Sequence, residues 1–352
     1  MSVVLLSDET SATQRADREL APALTLLGYD VTIETTEASA LSTAAAHGHH
    51  LAARWADQRP DVVIAHGWLA GLAAQVGGRA TGLPTIQRFG NLTRPQDDPG
   101  RARLECAMAQ GAALTLASCT EQLERLTAVG VPRQQIRVVP SGVDSSAFGD
   151  RGPTWARNRR RRLVVADDLT SPSAIGALIT SLPALPESEL LLIGPDSSVD
   201  PDQHEVARAL VAAAQRLRVA DRLRFLGPVE DTELPGLLRS ADVVVAPGRD
   251  GADVSFVLRA MACGVPVVAS DVGAISDAVA DGVTGVLVPP HSPMLLGDAV
   301  RGLLGDPIAR ESYGLAATDR ARARFSWDII AAETGRVIDE VLAPRWEREA
   351  AS

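Results

Sequence analysis

The chain has 352 residues, more than one hydrophobic core usually serves, so two domains are expected. Apolar residues make up 46% and aromatic ones only 3%, which suits Ala-packed helices lying on Val-rich strands. The formal net charge of −10 argues against a broad nucleic-acid surface, since phosphate contacts are made chiefly by Lys and Arg, and no apolar stretch reaches the length of a membrane span.

The three cysteines, Cys106, Cys119 and Cys263, are scattered among small or apolar neighbours. They read as buried thiols in a reducing cytoplasm, not as a disulfide framework or a zinc site. The opening MSVVLLSDET has no basic segment and too short an apolar run for a signal peptide, so a soluble cytoplasmic protein is expected.

In chain order, Val3 to Leu6 is a continuous apolar strand, followed by a helix with Leu20, Ala23, Leu24 and Leu27 on one face. Gly28 stops that helix, and Val31 to Ile33 gives the next strand. Asp61 to Ala65, Pro84 to Gln87 and Ala113 to Ala117 are further short strands separated by helical or loop segments. The cluster His47, His49 and His50 has no convincing further metal ligand and is placed at an exposed helix end. Near 149–162, GDRGPTWARNRRRR has Gly, Pro and a basic run without apolar period, and the domain linker is placed at 151–162. The run Arg159 to Arg162 reads as solvated linker, or as a contact for an anionic membrane surface or acceptor.

The pattern then restarts, with strands at Leu163 to Ala166, Leu190 to Gly194, Leu223 to Leu226, Val243 to Ala246, Val265 to Ala269 and Val286 to Val288. Buried runs alternating with helices imply right-handed crossovers and parallel sheets. The fold class is therefore α/β, with two Rossmann-like doubly wound domains, 1–150 and 163–324, facing across a cleft where a ligand would sit. Residues 325–352 form a last helix, with Trp327, Ile330, Val337 and Val341 at helical spacing. No P-loop, strand-placed GxGxxG or Asp-x-Asp metal motif stands out.

Seven segments in order carry a resemblance. They are PDVVIAHGWLAGLAA, GLPTIQRFGN, LASCTEQLERLTAVGVP, IRVVPSGVDSSAF, RFLGPVEDTELPGLLRSADVVVAP, AMACGVPVVAS and DVGAISDAVADGVTGVLVPP. Together they resemble the family 4 glycosyltransferases of the GT-B fold over nearly the whole chain. In these runs Gly142 is expected to permit a turn, and Gly264 to release a helix into a strand. The resemblance implies retaining transfer of a hexose from a nucleoside-diphosphate sugar, such as a UDP- or GDP-hexose, to an acceptor hydroxyl. It implies no cofactor or metal beyond that substrate, and a helix at the C-terminus returning toward the first domain.

By that resemblance, the donor diphosphate is met by an Arg and a Lys whose places are taken by Asp168 and Ser173. A unit charge about 4 Å away is worth roughly 4 kcal/mol near a surface, so an Asp there repels the diphosphate. Asp168→Arg with Ser173→Lys is accordingly expected to strengthen diphosphate binding. Asp167 and Asp168 otherwise serve as caps for the next helix, with Pro172 early in it. A family Glu pair falls on Gly251 and Arg259, with Asp250 and Asp253 flanking the first. Either carboxylate reaches the donor sugar after a small loop shift. Arg259, donor-only, is a candidate to pair with an acidic neighbour or to contact a donor phosphate, with a surface position the commoner expectation. In Asp271-Val272-Gly273-Ala274, backbone N–H groups remain able to meet an anion at the following helix.

In the first half, the family's Gly-Gly loop falls on Thr10-Ser11-Ala12, and a family His near the donor sugar falls on Gly90, beside Asn91. His66, just past a strand end, matches a family His and is a candidate catalytic residue, as are Asp250 and Asp253. Glu105 and Glu121 match acidic helix positions, the first read as structural and the second as a cap or a lining residue. Three readings follow: an active transferase with substituted site residues, a degenerate homologue acting as partner or scaffold for an active glycosyltransferase, or another nucleotide-sugar activity such as epimerisation.

Overall fold

The computed structural model describes residues 1–8, 11–36, 38, 40–90, 92–167, 171–185, 187–194, 204–248 and 254–343, with backbone alone at 11 and 12. The chain forms two compact units, Met1–Gly142 with Trp327–Ser352, and Val143–Ser326.

The described residues of the first unit contain six strands: β1 (Ser2–Asp8), β2 (Asp30–Thr36), β3 (Val62–His66), β4 (Thr85–Arg88), β5 (Leu114–Ala117) and β6 (Ile136–Val138). They pair in parallel in the order β2-β1-β3-β4-β5-β6. The helices are α1 (Ser11–Leu26), α2 (Leu41–Asp57), α3 (Trp68–Thr81), α4 (Pro99–Gly111), α5 (Thr120–Ala128) and, from the far end of the chain, α13 (Trp327–Leu342). Strand residues alternate between two faces. Val3, Leu5, Val62, Ile64 and Ile86 pack with Leu20 and Leu24 of α1 and Ile330 and Ile338 of α13. Val4, Leu6, Val63 and Ala65 pack on the opposite face with Leu51 and Trp55 of α2 and Ala70, Ala73 and Ala74 of α3. Gly28, at φ +91, ends the first helical segment as the sequence expects. Strand β6, three residues with one of them buried, goes beyond the sequence expectation.

The second unit has β7 (Arg161–Ala166), β8 (Ser188–Ile193), β9 (Leu223–Gly227), β10 (Val243–Ala246), β11 (Val267–Ser270) and β12 (Gly285–Val288). Its parallel order is β12-β11-β10-β7-β8-β9. The helices are α6 (Pro172–Ser181), α7 (Glu205–Arg216), α8 (Leu234–Arg239), α9 (Ser255–Ala262), α10 (Gly273–Ala278), α11 (Pro293–Gly305) and α12 (Pro307–Phe325). Val164, Leu191, Val244 and Val267 face α8, α9, α10 and α12, whereas Leu163, Val165, Leu192 and Val245 face α6, α7 and α11. In the AMACGVP run Ala260, Met261 and Ala262 are buried, and Gly264 turns the chain out of α9 at φ +76.

Residues expected to form a solvated basic linker are built into this second unit. Trp155 packs against its hydrophobic core. Arg162 is 2% exposed, and its Nε donates to Glu189 Oε1 at 2.8 Å and its Nη1 to Ser240 Oγ at 2.6 Å. Arg160 pairs with Asp221 at 2.7 Å, and Arg161 donates to the Leu304 carbonyl. Alternating strand geometry sends Arg162 inward, and a buried guanidinium requires a carboxylate, which Glu189 of β8 provides. Gly142 is small for space, not for a turn, because a Cβ there would lie 2.5 Å from the Trp327 ring. His49 and His50 are exposed in mid-helix on α2, while His47 Nδ1 is bonded to Thr36 Oγ1 at 2.8 Å.

Candidate functional site

In open parallel sheets, ligands gather beyond the carboxyl ends of the strands where the strand order reverses. The second unit reverses between β7 and β10. Asp167 follows β7, and its Oδ1 accepts from Ser171 N at 3.2 Å, an Asx-type brace ahead of α6. Ser171 Oγ donates to the Pro247 carbonyl just after β10 at 3.2 Å, so the two segments flanking the switch point are tied together. Pro172 opens α6, and Ser173 is exposed in its first turn. Asp168, Asp250, Gly251 and Asp253 lie outside the described residues.

Arg259 departs from its surface expectation. It is 6% exposed, its Nη1 donates to Asp231 Oδ1 at 3.2 Å, and its guanidinium lies 4.9 Å from the Phe148 ring centroid. The Asp231 carboxylate and the aromatic face together compensate its burial. At the β11 end, Asp271 N donates to the Val288 carbonyl at 2.8 Å, and Gly273 starts α10 at φ +50, with Ala274 behind it packed on the core.

The first unit reverses between β1 and β3, whose last residues are Asp8 and His66. Asp8 Oδ1 accepts from Ala70 N at 2.5 Å, so a carboxylate from β1 caps α3, whose own N-cap, Gly67, has no side chain. Burial is the largest influence on the Asp8 carboxyl and pushes it above the ordinary 3.8, against the pull of those helix N–H groups. His66, expected just past a strand, is the last residue of β3 and is 6% exposed. Its Nδ1 lies 3.4 Å from Asp17 Oδ1 on α1.

Arg88 ends β4, fully enclosed, and donates to the Pro140 carbonyl at 3.2 Å. Burial lowers its hold on the proton, and the Asp17 carboxylate opposes that loss. The sequence reading missed Asp8, Asp17, Arg88 and Asp231. The available signal for Asp17 was a carboxylate on the apolar stripe that continues through Leu20 and Leu24.

Gly90 is exposed after β4 with open space around it, and Ser11 opens α1 with Ala12 next, so these two positions sit at the sheet's carboxyl edge. Asn91 lies outside the described residues. Glu105 is structural, bonding Thr93 N at 2.7 Å and Arg101 Nε at 2.9 Å, while Glu121 sits in the first turn of α5. Among the described residues no group of three or more His, Cys, Asp or Glu is placed to hold a metal, and no helix is long and apolar enough to cross a membrane.

Comparison with known proteins bears on this arrangement directly. Residues 160–306 match the family described as glycosyl transferases group 1, and residues 3–142 match the glycosyl transferase 4-like domain. The chain is 34% identical over 297 residues to a D-inositol 3-phosphate glycosyltransferase of Xylanimonas cellulosilytica, spanning 77% of this chain and 70% of that one. It is 30% identical over 298 residues to the protein of that name from Kribbella flavida, spanning 78% and 70%. Among solved structures it is similar to sucrose-phosphate synthase from Thermosynechococcus elongatus, with TM-score 0.79, 21% identity and complete coverage of both chains. It is similar also to Anabaena Alr3699/HepE in complex with UDP and glucose, with TM-score 0.77, 18% identity and coverage of 96% and 99%. The fold is the GT-B fold of two Rossmann-like domains, and the chain belongs to the group 1, family 4-like glycosyltransferases.

Proposed function

We propose that this chain transfers a hexose from a nucleoside-diphosphate sugar, UDP- or GDP-linked, to an acceptor hydroxyl with retention of anomeric configuration. The curated relatives' name suggests a phosphorylated polyol of the inositol phosphate kind as acceptor. The reading is supported chiefly by the second unit's strand order, with its switch point at β7 and β10 and the Ser171–Pro247 tie beside it. The match of residues 160–306 to the group 1 glycosyl transferases adds to it.

A second reading, a degenerate homologue that acts as partner to an active glycosyltransferase, is favoured by Arg259. Its guanidinium, already engaged by Asp231, cannot accept a hydrogen bond from a nucleotide hydroxyl. Thermal denaturation with UDP, GDP and their glucose conjugates separates the two. A nucleotide held at about 100 times its Kd stabilises the folded state by about 2.7 kcal/mol and raises the melting temperature. Such a shift, with hexose transfer to D-inositol 3-phosphate, is the expected outcome. No shift with any of the four, together with no product, retires the transferase reading in favour of the partner.

A further inference from the structure

Three neighbouring strands of the first unit end in a polar row. Ser7 pairs with His66 and His66 with Arg88 across β1, β3 and β4. Each alternates with a residue of the apolar layer beneath α1, namely Leu5, Ile64 and Ile86. The three side chains therefore share that face. Asp17 comes down onto the row from α1. Asp17 and His66 side chains are 6% and 7% exposed, and Arg88 is 4% exposed. Charged groups this deep are kept only where they compensate one another.

The compensation here is incomplete. Among the described residues, neither Asp17 Oδ2 nor Ser7 Oγ, both buried, has a hydrogen-bond partner. The charged groups near His66 come from separate elements: Asp8 from β1, Asp17 from α1 and, paired with His66 on the next strand, Arg88 from β4. The helix α3 begins two residues after it. A carboxylate only accepts hydrogen bonds, so the ring nitrogen facing Asp17 is the one that carries hydrogen. The other nitrogen of a neutral ring is then an acceptor.

We infer that Asp17 is a positioning residue that fixes His66 as its Nδ1–H tautomer, so that His66 Nε2 accepts a hydrogen bond from a ligand hydroxyl at the first unit's switch point. This rests on the transferase reading, in which that hydroxyl belongs to the acceptor. Arg88 supplies the positive charge that keeps the Asp17 carboxylate in place as acceptor. No proton transfer is required of His66; its part is to orient the hydroxyl.

The test is long-range proton–nitrogen NMR on the whole chain labelled with 15N-histidine, at about pH 8.5, well above the ordinary imidazole value near 6.5. The His66 resonances are assigned with His66→Gln. The expected wild-type signature is hydrogen on Nδ1 and none on Nε2. In Asp17→Asn the side-chain amide can donate to Nδ1, and the expected tautomer is Nε2–H. A wild-type ring with hydrogen on Nε2 overturns the positioning role, and that measurement needs no variant to fold. Addition of D-inositol 3-phosphate, the acceptor proposed above, is expected to shift the Nε2 resonance of the wild type. An unmoved Nε2 overturns the hydroxyl-binding role. Absence of sugar transfer retires the transferase reading alone, since tautomer and Nε2 response are read without turnover.

Discussion

Gly67→Ala is the most exacting perturbation of the first unit's switch point. Gly67 has φ 103 and ψ 171, a region that residues with a Cβ essentially do not enter, and it is the N-cap of α3. A Cβ there would lie 2.1 Å from Asp8 Oδ2, so the carboxylate has to leave. Asp8 then gives up its 2.5 Å bond from Ala70 N. Backbone strain of about 1–3 kcal/mol and loss of a charged hydrogen bond worth about 1.5–3 kcal/mol combine to about 2.5–6 kcal/mol. In a unit of this size that lowers the calorimetric melting temperature by about 10 °C.

The control is Asp8→Asn, which keeps an acceptor oxygen for Ala70 and removes a charge that burial disfavours, so it costs much less. Because burial raises the folded Asp8 carboxyl above 3.8, the folded state holds that proton more readily. Its contribution to stability is therefore fully present in acid below 3.8 and declines as pH rises through the raised value. Asp8→Asn removes that slope. A Gly67→Ala protein melting within a degree or two of wild type refutes the argument, as does an Asp8→Asn protein equally damaged.

Three other contacts carry expected outcomes of their own. Glu189→Gln leaves the Arg162 guanidinium buried without its carboxylate and is expected to destabilise the second unit by about 3–5 kcal/mol in urea unfolding. Asp298→Asn breaks the Arg301 pair, whose side chains are 49% and 56% exposed, and is expected to change stability by under about 1 kcal/mol; equal effects contradict the burial argument. Tyr29 is pushed up to about 12 by burial first and then by its bond to Asp339. Its contribution is present below the ordinary value of 10.0 and is lost as pH rises toward 12. Tyr29→Phe should flatten the alkaline limb of the unfolding curve, and an unchanged limb assigns that loss to other groups.

Much of the architecture was legible because its signals are local. Runs such as VVLL, VVIA, LLLI and VVVA are apolar on both faces, as strands covered by helices on both sides must be, and Gly28 and Gly264 mark helix exits by positive φ. The three-residue β6 is too short to declare itself. The site was less legible because its polar residues are defined by partners distant in sequence. Arg259 looked like a surface residue until Asp231, 28 positions earlier, and Phe148 enclosed it. Arg162 looked like part of a basic linker, yet its strand position turns it toward Glu189. Asp17 and Arg88 carry no motif, and Arg88 comes beside His66, which Asp17 contacts, only through the strand order that sets β3 next to β4.

The discontinuity of the first unit has a consequence for biosynthesis. Val143–Ser326 is a single unbroken stretch, whereas the earlier-made Met1–Gly142 stretch shares its apolar layer with α13, translated after that insert. On the ribosome the inserted half can close while Leu20, Leu24 and the Gly142 notch still await Trp327 and Ile330. The half begun first is thus completed only after the inserted one. Premature termination near residue 326 would release a chain with one finished lobe and one sticky, aggregation-prone lobe.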